Sequence, residues 1–194
     1  GGASGLGEAI AHGLAQQGAA VVLADRDAER LQKVSAELEE TGAQVSTVEL
    51  DVTDRPGVDR AVAGVVEDQG SLDIVVNSAG IVALDAVDQL PDEAWDRTLE
   101  INLSGTFAVC RAAGAQMKDQ QYGRIINIAS QAAHVALEHH AAYSASKSGL
   151  FGLTTSLARE LGPYGVTANT ISPTVVMTCL LYTSDAADDA LRGD

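Results

Sequence analysis

The sequence lacks the features that mark several common classes of protein. Its 194 residues contain only two cysteines, Cys110 and Cys179, so it offers no disulfide framework and no metal-ligand spacing. Positive charge is scarce, since 12 Lys and Arg stand against 27 Asp and Glu, and the net charge of −15 argues against a nucleic-acid or anionic-membrane surface. No apolar run approaches the roughly 20 residues that span a bilayer. We therefore predict a cytoplasmic protein that binds no metal, nucleic acid or membrane.

What the sequence does contain is a regular alternation of short apolar strands and amphipathic helices. Hydrophobic residues make up 46% of the chain and charged residues 20%, as in an ordinary globular domain. The pattern predicts strands near residues 19–24, 44–50, 73–76, 124–128 and 166–171. This alternation indicates right-handed βαβ units and a parallel, doubly wound α/β sheet. In such sheets ligands bind beyond the carboxyl ends of the strands.

The predicted helices differ in the apolar faces that they carry. The helix after the first strand has a stripe of Leu31, Val34 and Leu38. The next helix has the spacing of one buried face, with Val58, Ala61, Val62, Val65 and Val66. One long helical stretch is predicted from about residue 91 to residue 118, and another over Tyr143–Leu161.

The two ends of the sequence do not fit this alternation. Gly1-Gly2 is a turn sequence where an apolar strand is expected, so we expect a first strand to precede it. From Cys179 to Asp188 the sequence matches the in-frame translation of a transposase adapter used in sequencing libraries. We therefore predict one partial α/β domain over residues 1–178 and a non-native tail over residues 179–194. A divergent acidic tail is the alternative.

A glycine-rich loop at the start of the chain is a candidate phosphate-binding site. It runs from Gly1 to Gly7 and precedes a helix, whose N-terminus offers free N–H groups and a positive dipole end. Asp25 lies 18 positions after Gly7, close to the offset of a ribose-binding carboxylate. A carboxylate there would repel a 2′-phosphate, which favours NAD over NADP, although Arg26 could partly restore NADP binding. A plain turn is the alternative for the loop alone.

Further polar motifs follow in order along the chain. Asn77-Ser78-Ala79-Gly80 comes after the strand at 73–76, and Asn102 lies within the long helix. Tyr143-Ser144-Ala145-Ser146-Lys147 opens a later helix, with Ser130 13 residues before its tyrosine. With the glycine loop, these resemble the TGxxxGxG, NNAG, helix-embedded Asn and YxxxK motifs of the short-chain dehydrogenase/reductase family. The resemblance covers residues 1–178 and implies a Rossmann-type fold whose last strand and substrate lid would lie beyond Thr178.

The resemblance implies hydride transfer between NAD(H) and an alcohol or ketone. Tyr143 would be the proton-transfer group, with Lys147 one turn away lowering its pKa and holding the nicotinamide ribose. Ser130 would hydrogen-bond the substrate oxygen beside Gln131, and Asn102 would hold a proton-relaying water. The implied cofactor contacts are Gly1, Ser4, Gly5, Leu6, Gly7, Asp25, Asp51, Val52, Asn77, Ala79, Gly80, Tyr143, Lys147, Pro173, Val176 and Thr178.

The substrate is predicted from the loop before the catalytic helix. Residues 131–142 contain no Lys or Arg, which favours a neutral hydroxylated substrate, and His134, His139 and His140 would line its mouth rather than bind a metal. The sequence around Ser130 and Pro173 resembles polyol dehydrogenases of the threitol and xylitol type. β-Ketoacyl thioesters and glucose are alternative substrates, and an inactive fragment or an NAD-binding module without turnover is the alternative of another class. The resemblance also implies a homodimer or homotetramer.

Overall fold

The computed structural model describes residues 1–135 and 137–174, and within them strands alternate with helices as predicted. The strands are β1 (Val21–Asp25), β2 (Val45–Glu49), β3 (Ile74–Asn77), β4 (Gly123–Ile128) and β5 (Val166–Ile171). The helices are α1 (Gly5–Gln16), α2 (Ala28–Glu40), α3 (Arg55–Gln69), α4 (Asp92–Leu99), α5 (Thr106–Gln120) and α6 (Ala141–Leu161). The predicted cofactor contacts Val176 and Thr178, and the predicted tail 179–194, lie outside the described residues.

All strand pairs in this region are parallel, which confirms the Rossmann-type α/β fold. β1 pairs with β2, and β4 lies between β3 and β5. The opening glycines lie between these two groups of strands: the Gly2 N–H donates to the Ala24 carbonyl at 2.9 Å, and the Ser78 hydroxyl donates to the Gly1 carbonyl at 2.7 Å. The glycine loop is thereby held at the carboxyl ends of β1 and β3.

The hydrophobic core follows the predicted stripes with one exception. Leu31, Val34 and Leu38 of α2 are buried against β1, as their spacing predicts. On α3, however, Val58 is fully buried while the other residues of its apolar face are only half-buried. A cavity of about 450 Å³, lined by Val22 of β1 and Val65 of α3, separates this helix from the β1–β2 pair.

The long helix predicted over residues 91–118 is interrupted in its middle. A π-helical segment, Glu100–Gly105, separates α4 from α5. It contains the fully buried Asn102, whose carbonyl accepts a hydrogen bond from the Thr106 hydroxyl at 2.9 Å. Single π-turns inside α-helices occur often at functional sites because they re-aim one side chain. In the part of the chain that the structure describes, no helix is long and apolar enough to cross a membrane.

Candidate active site

A cavity of about 410 Å³ runs along the carboxyl ends of the strands and collects the predicted site residues. Asn77 and Asn102 lie behind its wall. The other predicted residues that the structure describes line it: Gly1, Ser4, Gly5, Leu6, Gly7, Asp25, Asp51, Val52, Ala79, Gly80, Ser130, Gln131, Tyr143, Lys147 and Pro173. Residues far apart in the sequence therefore form one continuous pocket, with the glycine loop at one end and the start of α6 at the other.

The glycine loop fits a cofactor pyrophosphate because its wall is bare backbone. A Cβ on Gly7 would lie 1.8 Å from the Gly1 carbonyl oxygen, and one on Gly1 would lie 2.5 Å from the Ala79 nitrogen. No side chain fits at either position. The Ser4 side chain does not cap α1, so the first N–H groups of that helix face the pocket without an intrahelical partner. Together they form a cradle for an anionic group.

Asp25 ends β1 at the pocket rim, where a ribose carboxylate was predicted. Its carboxylate accepts hydrogen bonds from the Ala3 and Asp27 N–H groups, each at 3.2 Å. Burial raises the pKa of Asp25, and hydrogen bonds from the Asp27, Ala3 and Arg26 N–H groups lower it. The Asp25 side chain is therefore a carboxylate at neutral pH, with Arg26 beside it in the pocket lining.

Tyr143 and Lys147 lie on the first two turns of α6 and face the opposite end of the pocket. The Lys147 Nζ donates to the Ile128 carbonyl at 2.8 Å and lies 5.8 Å from the centroid of the Tyr143 ring. Burial lowers the pKa of Lys147 to about 8, because the charged ammonium is removed from water. The Lys147 ammonium is thus held at the carboxyl end of β4, next to the Tyr143 ring.

The pKa of Tyr143 differs from expectation. The sequence predicts a pKa lowered by the neighbouring ammonium, but in the structure burial raises the pKa of Tyr143, and the Ser130 hydroxyl opposes this only in part. Lys147 is directed at the Ile128 carbonyl, so its hydrogen bond is made there and not to the phenol. Without other groups in the pocket, Tyr143 is therefore a neutral phenol at physiological pH.

Ser130 follows β4 and faces Tyr143 across the pocket. Its hydroxyl accepts a hydrogen bond from the Ala132 N–H at 3.2 Å, which caps a short 3₁₀ turn. The Gln131 N–H donates to the Pro173 carbonyl at 2.9 Å and ties this turn to the segment after β5. The serine, the tyrosine and the Pro173 segment are therefore fixed relative to one another.

This arrangement matches known proteins along the whole described chain. The family profile described as short chain dehydrogenase matches residues 1–189. The chain is 45% identical over 194 residues to a D-threitol dehydrogenase of Mycolicibacterium smegmatis, of which it spans 74%. This chain is a short-chain dehydrogenase. It is accordingly an oxidoreductase that acts on the CH–OH group of a small molecule with a nicotinamide cofactor.

Two further relatives of this short-chain dehydrogenase agree with that identification. An NAD-dependent glycerol dehydrogenase of Listeria innocua is 38% identical over 183 residues, which cover 92% of this chain and 69% of that enzyme. A crystal structure of NAD⁺-bound xylitol dehydrogenase superposes with a TM-score of 0.87 at 37% identity, covering 89% of this chain and 67% of that one.

Asn77 and Asn102 support the pocket of the dehydrogenase from behind. Asn102 bonds both the N–H and the carbonyl of Ile81, at 2.8 and 2.9 Å, and donates to the Ser146 hydroxyl at 3.0 Å. Asn77 donates to the Asn127 side chain at 2.8 Å. The side chain of Asn102 thus positions the segment after β3 against α6, and its predicted water-holding role stays a prediction.

Sequence reasoning missed several residues that complete the site. Ser78 stands where the family motif has a second Asn, and its hydroxyl fixes the Gly1 carbonyl. Asn127 is fully buried in β4 and bonds both Asn77 and the Thr154 hydroxyl, at 2.9 Å. The available signal was an asparagine between two isoleucines, Ile126 and Ile128, because a buried amide needs hydrogen-bond partners.

Outside the pocket, one group of side chains brings possible metal ligands together, which the sequence did not predict. Glu8 and His12 of α1 and Glu37 of α2 each place a ligand atom within 4.8 Å of the others. The Lys33 Nζ lies 3.9 Å from a Glu37 oxygen and already balances part of that charge. The group is half-buried to exposed, and none of its members lines the pocket.

Proposed function

We propose that this dehydrogenase transfers a hydride between NAD(H) and a secondary alcohol of a polyol or sugar-like substrate. One observation carries the proposal: a single pocket joins an anion cradle at Gly1–Gly7 to the Ser130, Tyr143 and Lys147 side chains. A module that only binds the cofactor has no need of those three groups at the far end.

NAD is favoured over NADP by the charge at the ribose edge. The Asp25 carboxylate is fixed by two N–H donors and lines the pocket at the carboxyl end of β1. It can accept hydrogen bonds from ribose hydroxyls, whereas a 2′-phosphate beside it would be repelled. The relatives support the same cofactor, since one is an NAD-dependent glycerol dehydrogenase and another an NAD⁺-bound xylitol dehydrogenase.

The proposed roles of the protein groups follow from their positions. NAD⁺, when bound, accepts the hydride from the carbinol carbon. Tyr143 takes the hydroxyl proton during oxidation and returns it during reduction. Ser130 donates a hydrogen bond to the reacting oxygen. For Tyr143 to act as a base, the neighbouring Lys147 ammonium would have to stabilise the phenolate. Because Lys147 also lines the pocket, its ammonium could bind the nicotinamide ribose.

The substrate class rests on the charge of the pocket. Among the described lining residues the Lys and Arg side chains are Arg26, at the ribose edge, and Lys147, which is buried next to Tyr143; the imidazole of His140 also lines the pocket. A carboxylate or phosphate on the substrate would find no exposed Lys or Arg of this lining near Ser130. A neutral polyol fits this end, and the threitol, glycerol and xylitol dehydrogenase names of the relatives support that class.

The test is oxidation of a panel of alcohols by the purified enzyme with NAD⁺ or NADP⁺, followed by the absorbance of the reduced cofactor. We expect turnover of four- and five-carbon polyols with a higher kcat/KM for NAD⁺. Turnover confined to thioesters or to glucose would replace the polyol assignment, and reduced-cofactor formation with NADP⁺ alone would replace the cofactor.

A homodimer or homotetramer remains our proposal for the assembly. The interface would use the helices α5 and α6, whose apolar residues Phe107, Phe151 and Leu157 are the sequence candidates for it. Phe107 on α5 is 43% exposed, whereas Leu157 on α6 packs into the core beside β4 and β5. The proposal therefore rests on the α5 face, and sedimentation at micromolar concentration tests it. The cytoplasmic location likewise stays a prediction.

A further inference from the structure

One imidazole lies at the reacting end of the pocket without an assigned role. His140 lines the pocket and precedes α6, three residues before Tyr143. Its ring stands edge-on to the Tyr143 ring, with the centroids 6.2 Å apart. It is therefore a titratable side chain that lies beside the proposed proton-transfer group.

The backbone before His140 is held in a conformation that few non-glycine residues adopt. His139 has a φ of +61°, in the left-handed region, and its carbonyl accepts a hydrogen bond from the Asp85 N–H at 3.2 Å. Non-glycine residues in this region are uncommon and concentrate at functional sites, where surrounding contacts maintain them. This turn directs the chain into α6 and sets His140 against the pocket.

The hydrogen bond of His140 fixes which ring nitrogen carries its proton. The Nδ1 atom contacts the Glu138 carbonyl oxygen, and a carbonyl can only accept. In the neutral imidazole Nδ1 is therefore the donor, and Nε2 is left with a lone pair. Within residues 1–135 and 137–174 no group hydrogen-bonds Nε2.

The pocket lining that contains His140 is partly apolar, with Val82, Leu84 and Leu137 among its members. A substrate hydroxyl buried there needs a hydrogen-bond partner, because losing its water without one is unfavourable. Besides the groups that hold the reacting oxygen, Gln131 and His140 are side chains of this lining that can provide one. The Nε2 lone pair supplies the acceptor that such a hydroxyl needs.

We propose that His140 Nε2 accepts a hydrogen bond from the hydroxyl next to the reacting carbinol, so that this residue selects vicinal diols over simple secondary alcohols. The proposal deepens the proposed function and rests on it. Ser130 and Tyr143 hold the reacting oxygen, and His140, beside Tyr143, holds the neighbouring one. His140 is thus a specificity residue for the substrate, separate from the proton transfer itself.

The test compares two substrates that differ by one hydroxyl, 2,3-butanediol and 2-butanol, with NAD⁺ as the cofactor. His140→Phe keeps a ring beside Tyr143 but removes the acceptor. We expect kcat/KM for the diol to fall about tenfold, or about 1.4 kcal/mol, which is within the range for one neutral hydrogen bond, while the value for 2-butanol stays the same. His140→Gln, whose amide oxygen can take the place of Nε2, should recover part of the loss. His12→Gln, away from the pocket, is the matched control.

The outcomes separate this proposal from the one on which it rests. A wild-type enzyme that prefers the diol, with an unchanged preference in His140→Phe, overturns the role of His140 alone. An equal loss on both substrates assigns His140 a structural role and also overturns the proposal. A wild-type enzyme that oxidises neither the diol nor any longer polyol overturns the proposed function together with it.

Discussion

The two ends of the pocket present opposite kinds of surface to their ligand. At the Gly1–Gly7 end the wall is backbone, and the site exists because side chains are missing there. At the Ser130–Lys147 end the wall is made of side chains, one of which is a lysine only 4% exposed. The Gly1–Gly7 end would bind an anionic group through its shape and its backbone N–H groups. The Ser130–Lys147 end holds titratable side chains away from water.

The two ends also differ in what they demand of the fold. A glycine cradle needs little beyond a tight turn held between two strands, which Ser78 and Ala24 provide. The catalytic end needs support from behind, and the hydrogen bonds of Asn102, Asn127 and Ile128 provide it. Substitutions at the first end should therefore act through volume, and substitutions at the second through charge and protons.

The largest expected effect is at the catalytic end. Tyr143→Phe removes only the proton-transfer hydroxyl, so kcat should fall about a thousandfold, within the range for loss of general acid–base catalysis. The dissociation constant of NAD should stay nearly unchanged, as followed by titration calorimetry. Tyr164→Phe is the control, because Tyr164 lies far from the pocket under Lys118 and its ring survives the change. Substantial turnover by Tyr143→Phe would remove the phenol from the mechanism.

The next effect tests the cradle by volume alone. In Gly7→Ala the new methyl would overlap the Gly1 carbonyl, so the loop must move and NAD affinity should fall about a hundredfold, equivalent to roughly 3 kcal/mol. Gly13→Ala on the same helix is the matched control, because a Cβ there meets nothing within 4 Å. Gly13→Ala should stabilise α1 by about 1 kcal/mol and should not change the affinity for NAD. Equal affinities for the two variants would contradict the cradle.

The same contrast explains how far the sequence could predict the site. The strands follow from local pattern, because apolar runs are properties of neighbouring residues, whereas most of the pocket lining was implied by the resemblance of the motifs to those of the family. The π-turn at Asn102 was not predicted, and neither were the partners of its side chain, Ile81 and Ser146, because they lie 21 and 44 residues away along the chain. The direction in which the pKa of Tyr143 shifts could not be predicted either. It depends on the burial of the phenol and on the hydrogen bond that the Lys147 ammonium makes to the Ile128 carbonyl.

The buried face predicted for α3 shows a second limit. Helical spacing identifies which side of a helix is apolar, but the depth of burial depends on what lies opposite. Val58 meets the core, while Val65 borders the cavity beside β1. Periodicity thus predicts which face of a helix is apolar, but it does not predict how deeply that face is buried.

A smaller effect is expected at the ribose edge. Asp25→Asn keeps the side-chain shape and an acceptor for the Ala3 N–H but removes the charge. The ratio of kcat/KM for NAD⁺ to that for NADP⁺ should fall about tenfold, or roughly 1.4 kcal/mol, mainly because repulsion of the 2′-phosphate is lost. Steady-state kinetics with both cofactors measures it. An unchanged ratio would mean that the carboxylate does not set the preference.

The smallest expected effect is on stability and concerns the cost of keeping Lys147 buried. Lowering its pKa from 10.5 to about 8 corresponds to roughly 3 kcal/mol against the charged form, at about 1.4 kcal/mol per pKa unit. Lys147→Met removes that penalty but leaves the Ile128 carbonyl without its donor, which costs about 1–3 kcal/mol. The variant should therefore be inactive yet more stable at pH 7 by about 1 kcal/mol.

The pH dependence distinguishes this cause from better packing. Between the folded pKa of about 8 and the unfolded value of 10.5, the unfolded chain binds more protons at Lys147 than the folded protein does. The wild-type contribution to stability therefore rises with pH across that window, as the buried amine becomes neutral. Methionine does not titrate, so in urea unfolding curves the advantage of Lys147→Met, about 1 kcal/mol at pH 7, should shrink above pH 8 at about 1.4 kcal/mol per pH unit, vanish near pH 9 and then reverse, because only the lost hydrogen bond remains. A constant advantage over that range would assign the gain to packing and would mean that Lys147 has the same pKa, and is equally charged, in the folded and unfolded chains.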